Sequence, residues 1–164
     1  MKKFFRFRSE HIKDMIRIQS LVAYNTLDFI DNKSILIANN QFIIQSGSKV
    51  CDLLPFNDSS NFAISERLKK TLEQNNITGW GCFPILISGV KENYYGFQNF
   101  SKAGPILNLQ ALNSYEAEFI QFDIGTWDGS DIFHLEDTAI NVIVPKVKMI
   151  LEAGGFSNLE ILPL

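Results

Sequence analysis

The sequence predicts an α+β fold, a mainly antiparallel sheet with two short helices that come from an internal strand-helix-strand repeat at about 63–85 and 142–164. Three observations lead there: two matching segments 79 residues apart, period-two apolar segments elsewhere, and a composition able to fill a core. At 164 residues with 46% hydrophobic and 12% aromatic residues, including 14 Phe, the chain has enough apolar surface for one domain. We read 1–164 as that single domain, with a β-rich part at 1–60 and a repeat-containing part at 61–164.

The repeat appears when Ala63 to Glu73 is written above Val142 to Glu152 and the alignment continues to Pro84 and Pro163. Ile64/Ile143, Lys69/Lys148, Leu72/Leu151, Glu73/Glu152 and Pro84/Pro163 are identical, while Arg67/Lys146, Leu68/Val147, Ile77/Phe156 and Thr78/Ser157 keep their character. Glu66 places a carboxylate in the first turn of one helix, and Pro145 stands at the same position of the other, where a missing N–H costs nothing. Leu68 with Leu72, and Val147 with Leu151, lie one turn apart and form a stripe that docks on a sheet. Asn75-Asn76 and Gly154-Gly155 follow, where a chain leaving a helix needs left-handed dihedrals. Extended segments come next, Trp80 to Ile87 and Leu159 to Leu164, each with a proline suited to an edge.

The rest reads mainly as strand. Phe5 and Phe7 alternate with Arg6 and Arg8, and Ser9 is placed to cap a helix carrying Ile12, Met15 and Ile16, although 9–24 also reads otherwise. Ser34 to Ala38 and Gln41 to Gln45 flank Asn39-Asn40 and predict a hairpin. Phe119 to Ile124 predicts a strand, with a turn at Gly125 to Ser130 and a short strand around Ile132-Phe133.

Charge bounds function. The formal balance is −3, which argues against wholesale nucleic-acid binding. Residues 1–18 nevertheless carry a local +4, and 103–145 carry no Lys or Arg against Glu116, Glu118, Asp123, Asp128, Asp131, Glu136 and Asp137. Such a stretch either is a solvated rim or steers a basic partner. Trp127, in a glycine-flanked turn among these carboxylates, is the first candidate for a contact residue; the alternative is an indole folded back over the sheet edge. Asp128 with Asp131, or Glu116 with Glu118, also offer the paired carboxylates of a small hydrolase. Tyr94 to Phe97 with Phe100 could form an aromatic recognition surface or pack onto the core. Neither Asp128 to Asp131 nor Gly154-Gly155 has the spacing of a calcium or phosphate loop, and two His with two Cys make no zinc motif, so no metal or cofactor is expected. The N-terminal alternation of bases and aromatics reads more simply as an amphipathic strand than as a single-strand binder. No export signal or run of about 18 apolar residues is visible, and Cys51 and Cys82 make no disulfide framework, so a reducing cytoplasm and no membrane are the expectation.

At Ile64-Ser65-Glu66-Arg67-Leu68-Lys69, then Ile77-Thr78-Gly79-Trp80 and Phe83-Pro84, the sequence resembles a family of bacterial immunity proteins encoded beside polymorphic toxins. Asp131-Ile132-Phe133, Val142-Ile143-Val144, Lys146-Val147 and Gly155-Phe156-Ser157-Asn158-Leu159 resemble that family's C-terminal half, so the likeness spans roughly residues 50–164. Val144-Pro145 stands where the family often repeats Ser-Glu. The resemblance implies a non-enzymatic α+β protein that binds a cognate toxin domain stoichiometrically. Trp127 would then anchor the contact, with Glu116, Glu118, Asp128, Asp131, Glu136 and Asp137 steering it by imitating the polyanion of a basic nuclease. A hydrolase using acidic residues and a non-catalytic structural module stay open as alternatives.

Overall fold

A computed structural model describes residues 3–26, 34–112 and 119–164. Eleven strands are seen among them: β1 (Phe5–Ser9), β2 (Arg17–Ser20), β3 (Gln41–Ser46), β4 (Leu53–Pro55), β5 (Phe62–Ser65), β6 (Trp80–Ile87), β7 (Tyr94–Asn99), β8 (Lys102–Ala103), β9 (Ile132–Leu135), β10 (Asn141–Ile143) and β11 (Leu159–Pro163). Helices α1 (Ser34–Ala38), α2 (Glu66–Gln74) and α3 (Pro145–Gly154) complete the α+β architecture. The strands form two sheets, ordered β11-β1-β10-β9-β8 and β2-β3-β6-β7-β5-β4. Most pairings are antiparallel; β3 with β6 and β8 with β9 are parallel.

The repeat is larger than its sequence signature. β4 and β9 begin 79 residues apart, so the matching unit is strand, strand, helix, strand, and it begins upstream of residue 61. In the first copy β7 lies between β5 and β6 and is antiparallel to both. In the second copy that place between β10 and β11 is taken by β1, from the other end of the chain. The registers coincide: Tyr95 faces Ile64 and Pro84, as Phe5 faces Ile143 and Pro163. Ion pairs repeat as well, Lys69–Glu73 at 2.7 Å lying over the Tyr95 ring and Lys148–Glu152 at 2.5 Å over Phe5.

The predicted helix signals hold. Ser65 caps α2 by accepting the Leu68 N–H at 3.2 Å, and Pro145 opens α3, whose cap Val144 has no side-chain bond to offer. Leu68, Leu72, Val147 and Leu151 are buried in one cluster with Phe7, Leu53, Phe62, Ile64, Phe97, Ile132 and Ile143, so a shared core joins the two copies. Asn76 and Gly155 both adopt the left-handed conformation after their helices. Pro163 lies on an edge strand; Pro84 lies on β6 just ahead of the β3 pairing, where the Asn40 side chain, and not a strand, donates to its carbonyl at 3.0 Å.

Two copies solve one turn differently. Gly79 and Asn158 are equivalent, and both have positive φ. At Gly79 the neighbouring Thr78 carbonyl accepts the Ile132 N–H at 3.0 Å; at Asn158 the side chain accepts the Leu53 N–H at 3.0 Å and donates to the Leu53 carbonyl at 2.7 Å. A Cβ on Gly79 would lie 2.0 Å from the Ile132 oxygen. Gly79→Ala is therefore expected to destabilise the protein by about 2 kcal/mol, read as a lower urea midpoint at unchanged slope.

Three expectations fail. Ser34–Ala38 is a helical turn, not a hairpin arm: only Leu36 reaches the core, Ile35 and Ile37 stay over 40% exposed, and Asn39 closes the turn through its backbone and side chain on the Ile35 carbonyl. No helix follows Ser9, which ends β1 opposite Leu159; Met15 and Ile16 are buried from irregular chain. Phe119–Ile124 is not a strand, since Asn108 Oδ1 takes the Gln121 N–H at 2.7 Å and Asp123 turns back on Gly125, leaving one bridge between Phe122 and Ile106. Among the described residues no helix is long and apolar enough to cross a membrane.

Candidate functional site

Between β8 and β9, the described residues 104–112 and 119–128 form an arm. Its base is pinned by Gly104 N–H to Thr126 Oγ1 at 2.9 Å, Asp123 N–H to the Pro105 carbonyl at 3.0 Å and Leu107 N–H to the Gln121 carbonyl at 2.7 Å. Asn108 spans it, donating to the Phe119 carbonyl at 2.9 Å. One side packs inward, where Ile106 is buried and Phe122 meets Phe4 and Phe133 with centroids 5.2 and 5.6 Å away. The other side does not. Leu107 and Phe119 are 64% and 63% exposed, and Leu109, Leu112 and Ile124 are exposed beside them.

Trp127 belongs to the inward side. Its indole stands edge-on to Phe4 at 5.3 Å, lies 5.8 Å from Phe133 and donates to the Ser130 carbonyl at 3.1 Å. The folded-back alternative is the arrangement found, because an indole has one donor and a large apolar face, and both find intramolecular partners. The exposed apolar side chains of the arm present more free surface; sequence reasoning passed over them because Phe119 to Ile124 reads there as a strand.

The carboxylates also divide. Glu116 and Glu118 lie outside the described residues. Asp131 is half-buried, accepts from Thr78 N and Oγ1 at 3.0 and 3.3 Å, and pairs with Lys146 at 3.3 Å. Glu136 pairs with Lys102 at 3.6 Å. Both lysines lie just outside the stretch 103–145 that lacks bases, so a linear count of charge could not register them. Asp128 is exposed and is held by the Ser130 N–H at 2.9 Å and the Ser101 hydroxyl at 3.0 Å. Hydrogen bonding from Ser130, aided by Ser101, keeps its carboxyl below the usual value, the wrong direction for a general acid at neutral pH. Asp137 is exposed on the β9–β10 turn at positive φ. Asp123, Asp128 and Asp137 thus form no ion pair among the described residues.

Other candidates are absorbed by structure. Tyr94 is buried with its hydroxyl donating to the Cys51 carbonyl at 2.6 Å, and Phe97 is core, whereas Phe100 is exposed. His134 is buried in β9. Among the described residues no three His, Cys, Asp or Glu side chains gather to hold a metal.

A polar centre that sequence reasoning missed lies between the copies. Buried Asp52 accepts from Ser65 Oγ at 2.6 Å, Arg67 at 2.6 Å, and the N–H and hydroxyl of Ser157 at 2.8 and 3.1 Å. Asp131 with Lys146 and Thr78 is its counterpart at the repeat offset. In each, a carboxylate of one copy holds the turn of the other. Extending the alignment upstream of Ala63 would have aligned Asp52 with Asp131.

Fold and site define a duplicated α+β protein whose polar centres brace the duplication and whose arm carries exposed apolar side chains. No protein-family model matches the sequence, nor does any curated protein.

Proposed function

We propose that this chain is a stoichiometric binding protein that neutralises a cognate toxin domain, and that the arm meets that partner. The observation that carries the reading is that Leu107, Leu109, Phe119 and Ile124 are all exposed, in a stretch of chain with carboxylates and no Lys or Arg. Clustered apolar side chains in water mark adhesion surfaces, and flanking charge of one sign selects a partner of the other. The partner this fits is basic, as a nuclease toxin that grips a polyanion would be. Trp127 supports the arm from within, and Asp123, Asp128 and Asp137 supply steering.

The test is association with the toxin encoded by the adjacent gene, together with rescue of cells expressing it. Leu107→Asp combined with Phe119→Asp should weaken binding about 100-fold, since central apolar anchors carry most interface energy. Asp128→Lys combined with Asp137→Lys should instead slow association about tenfold at low salt and flatten its salt dependence. Unchanged affinity in the first pair would remove the arm from the interface, and absence of both binding and rescue would remove the reading itself.

A further inference from the structure

A second surface of opposite sign lies on the first strand. Arg6 points from β1 into a cleft of about 220 Å³ walled by Ser59, Ser60 and Asn61 on one side and Ala139 to Asn141 on the other. Its Nε is buried and has no hydrogen-bond partner among the described residues. A buried guanidinium N–H without an acceptor is costly, and an anion held against the same guanidinium offsets that cost through its charge. Arg17 reaches the same wall, donating to Ser59 Oγ at 2.5 Å, which leaves the Ser59 proton available to a ligand. Neither Arg6 nor Arg17 forms an ion pair among the described residues.

The neighbouring charges are spent. Arg8 also lines the cleft, and pairs with Glu160. Asp58, the carboxylate nearest this wall, accepts from Tyr24, from the Asn61 side chain and from the N–H groups of Ser60 and Asn61. The duplication supplies a control. The counterpart of Arg6 is Gly96, where the Phe83 ring fills the space a Cβ would enter, 2.3 Å away. The fold is satisfied there by an apolar ring, so it does not itself demand a cation at this position.

We propose that this cleft binds a small oxyanion, a phosphate or a short phosphate monoester, between Arg6 and the Ser59–Ser60 wall. The cleft opens to solvent, so a phosphate or a short phosphate monoester can enter it.

Titration calorimetry of the full chain at constant ionic strength, with inorganic phosphate and O-phosphoserine as probes, tests this. Saturable millimolar or tighter binding of either small probe is expected, weakened at least about tenfold by Arg6→Gln and changed less than threefold by Lys70→Gln, outside the cleft. Tighter O-phosphoserine than phosphate identifies the ester as ligand; equal binding identifies the free ion. If Arg6→Gln does not fold, Ser59→Ala with Ser60→Ala serves, with the same tenfold loss expected. No saturable binding by the native chain, or equal loss with Lys70→Gln, would overturn the site.

Discussion

Phe97→Ala is expected to lower the unfolding free energy by about 3–5 kcal/mol, more than neutralising either polar centre between the copies. The ring is buried, stacks on Phe62 at 5.0 Å and on Trp80 at 6.1 Å, and meets its counterpart Phe7 edge-on at 5.7 Å. Removing it opens a cavity that strands from both sheets line, and strand backbones cannot collapse into it without breaking register. Phe7→Ala should cost a similar amount, and the double variant should fall short of additivity by about 0.5–1.5 kcal/mol because the pair is counted twice. Urea unfolding followed by tryptophan fluorescence and by circular dichroism checks this. A single coincident transition is expected in every variant; two transitions would show that the copies unfold separately and that the shared core does not couple them.

Asp52→Asn should cost about 2–3 kcal/mol, and Asp131→Asn only about 1 kcal/mol. The two centres have the same plan and differ in burial and donor. Asp52 takes a 2.6 Å bond from Arg67 and a further one from Ser65, whereas Asp131 takes a 3.3 Å contact from Lys146 and has Val144 where Ser65 stands. Arg67 is itself held by the Gly154 carbonyl at 2.8 Å and by the Phe156 ring 4.4 Å away, so its guanidinium stays beside the carboxylate. Burial opposes ionisation of Asp52, but the hydrogen bonds from Arg67, Ser65 and Ser157 and the Arg67 charge outweigh it and hold the carboxyl below its usual value. The contribution is therefore complete above the ordinary aspartate value of about 3.9 and disappears as pH falls through the lower folded value. Native protein should lose stability over that acid range more steeply than Asp52→Asn, and parallel pH curves for the two proteins would contradict this assignment.

These residues show what could be read from sequence. Helix boundaries were legible because local chemistry sets them: Glu66 and Pro145 at the starts, Asn76 and Gly155 at the ends, and leucines one turn apart. The partnership of β1 with β10 and β11 was not, since a strand carries no record of which distant strand lies beside it. Short apolar runs also defeated periodicity, as at Ile35-Leu36-Ile37, where side-chain capping by Asn39 decided the outcome. For the candidate site, the acidic stretch was visible, but its partial neutralisation by Lys102 and Lys146 depends on packing across the sheet.

The place of β1 bears on how the molecule is made. Strands β4 to β7 are consecutive and can assemble while later residues are still being synthesised, whereas β1, translated early, has both neighbours in the final quarter of the chain. Its edges therefore stay open through most of translation, and closing them waits on β10 and β11 leaving the ribosome. Nascent chains should accordingly acquire protease resistance in two stages, residues 51–99 first and the N-terminal strand last.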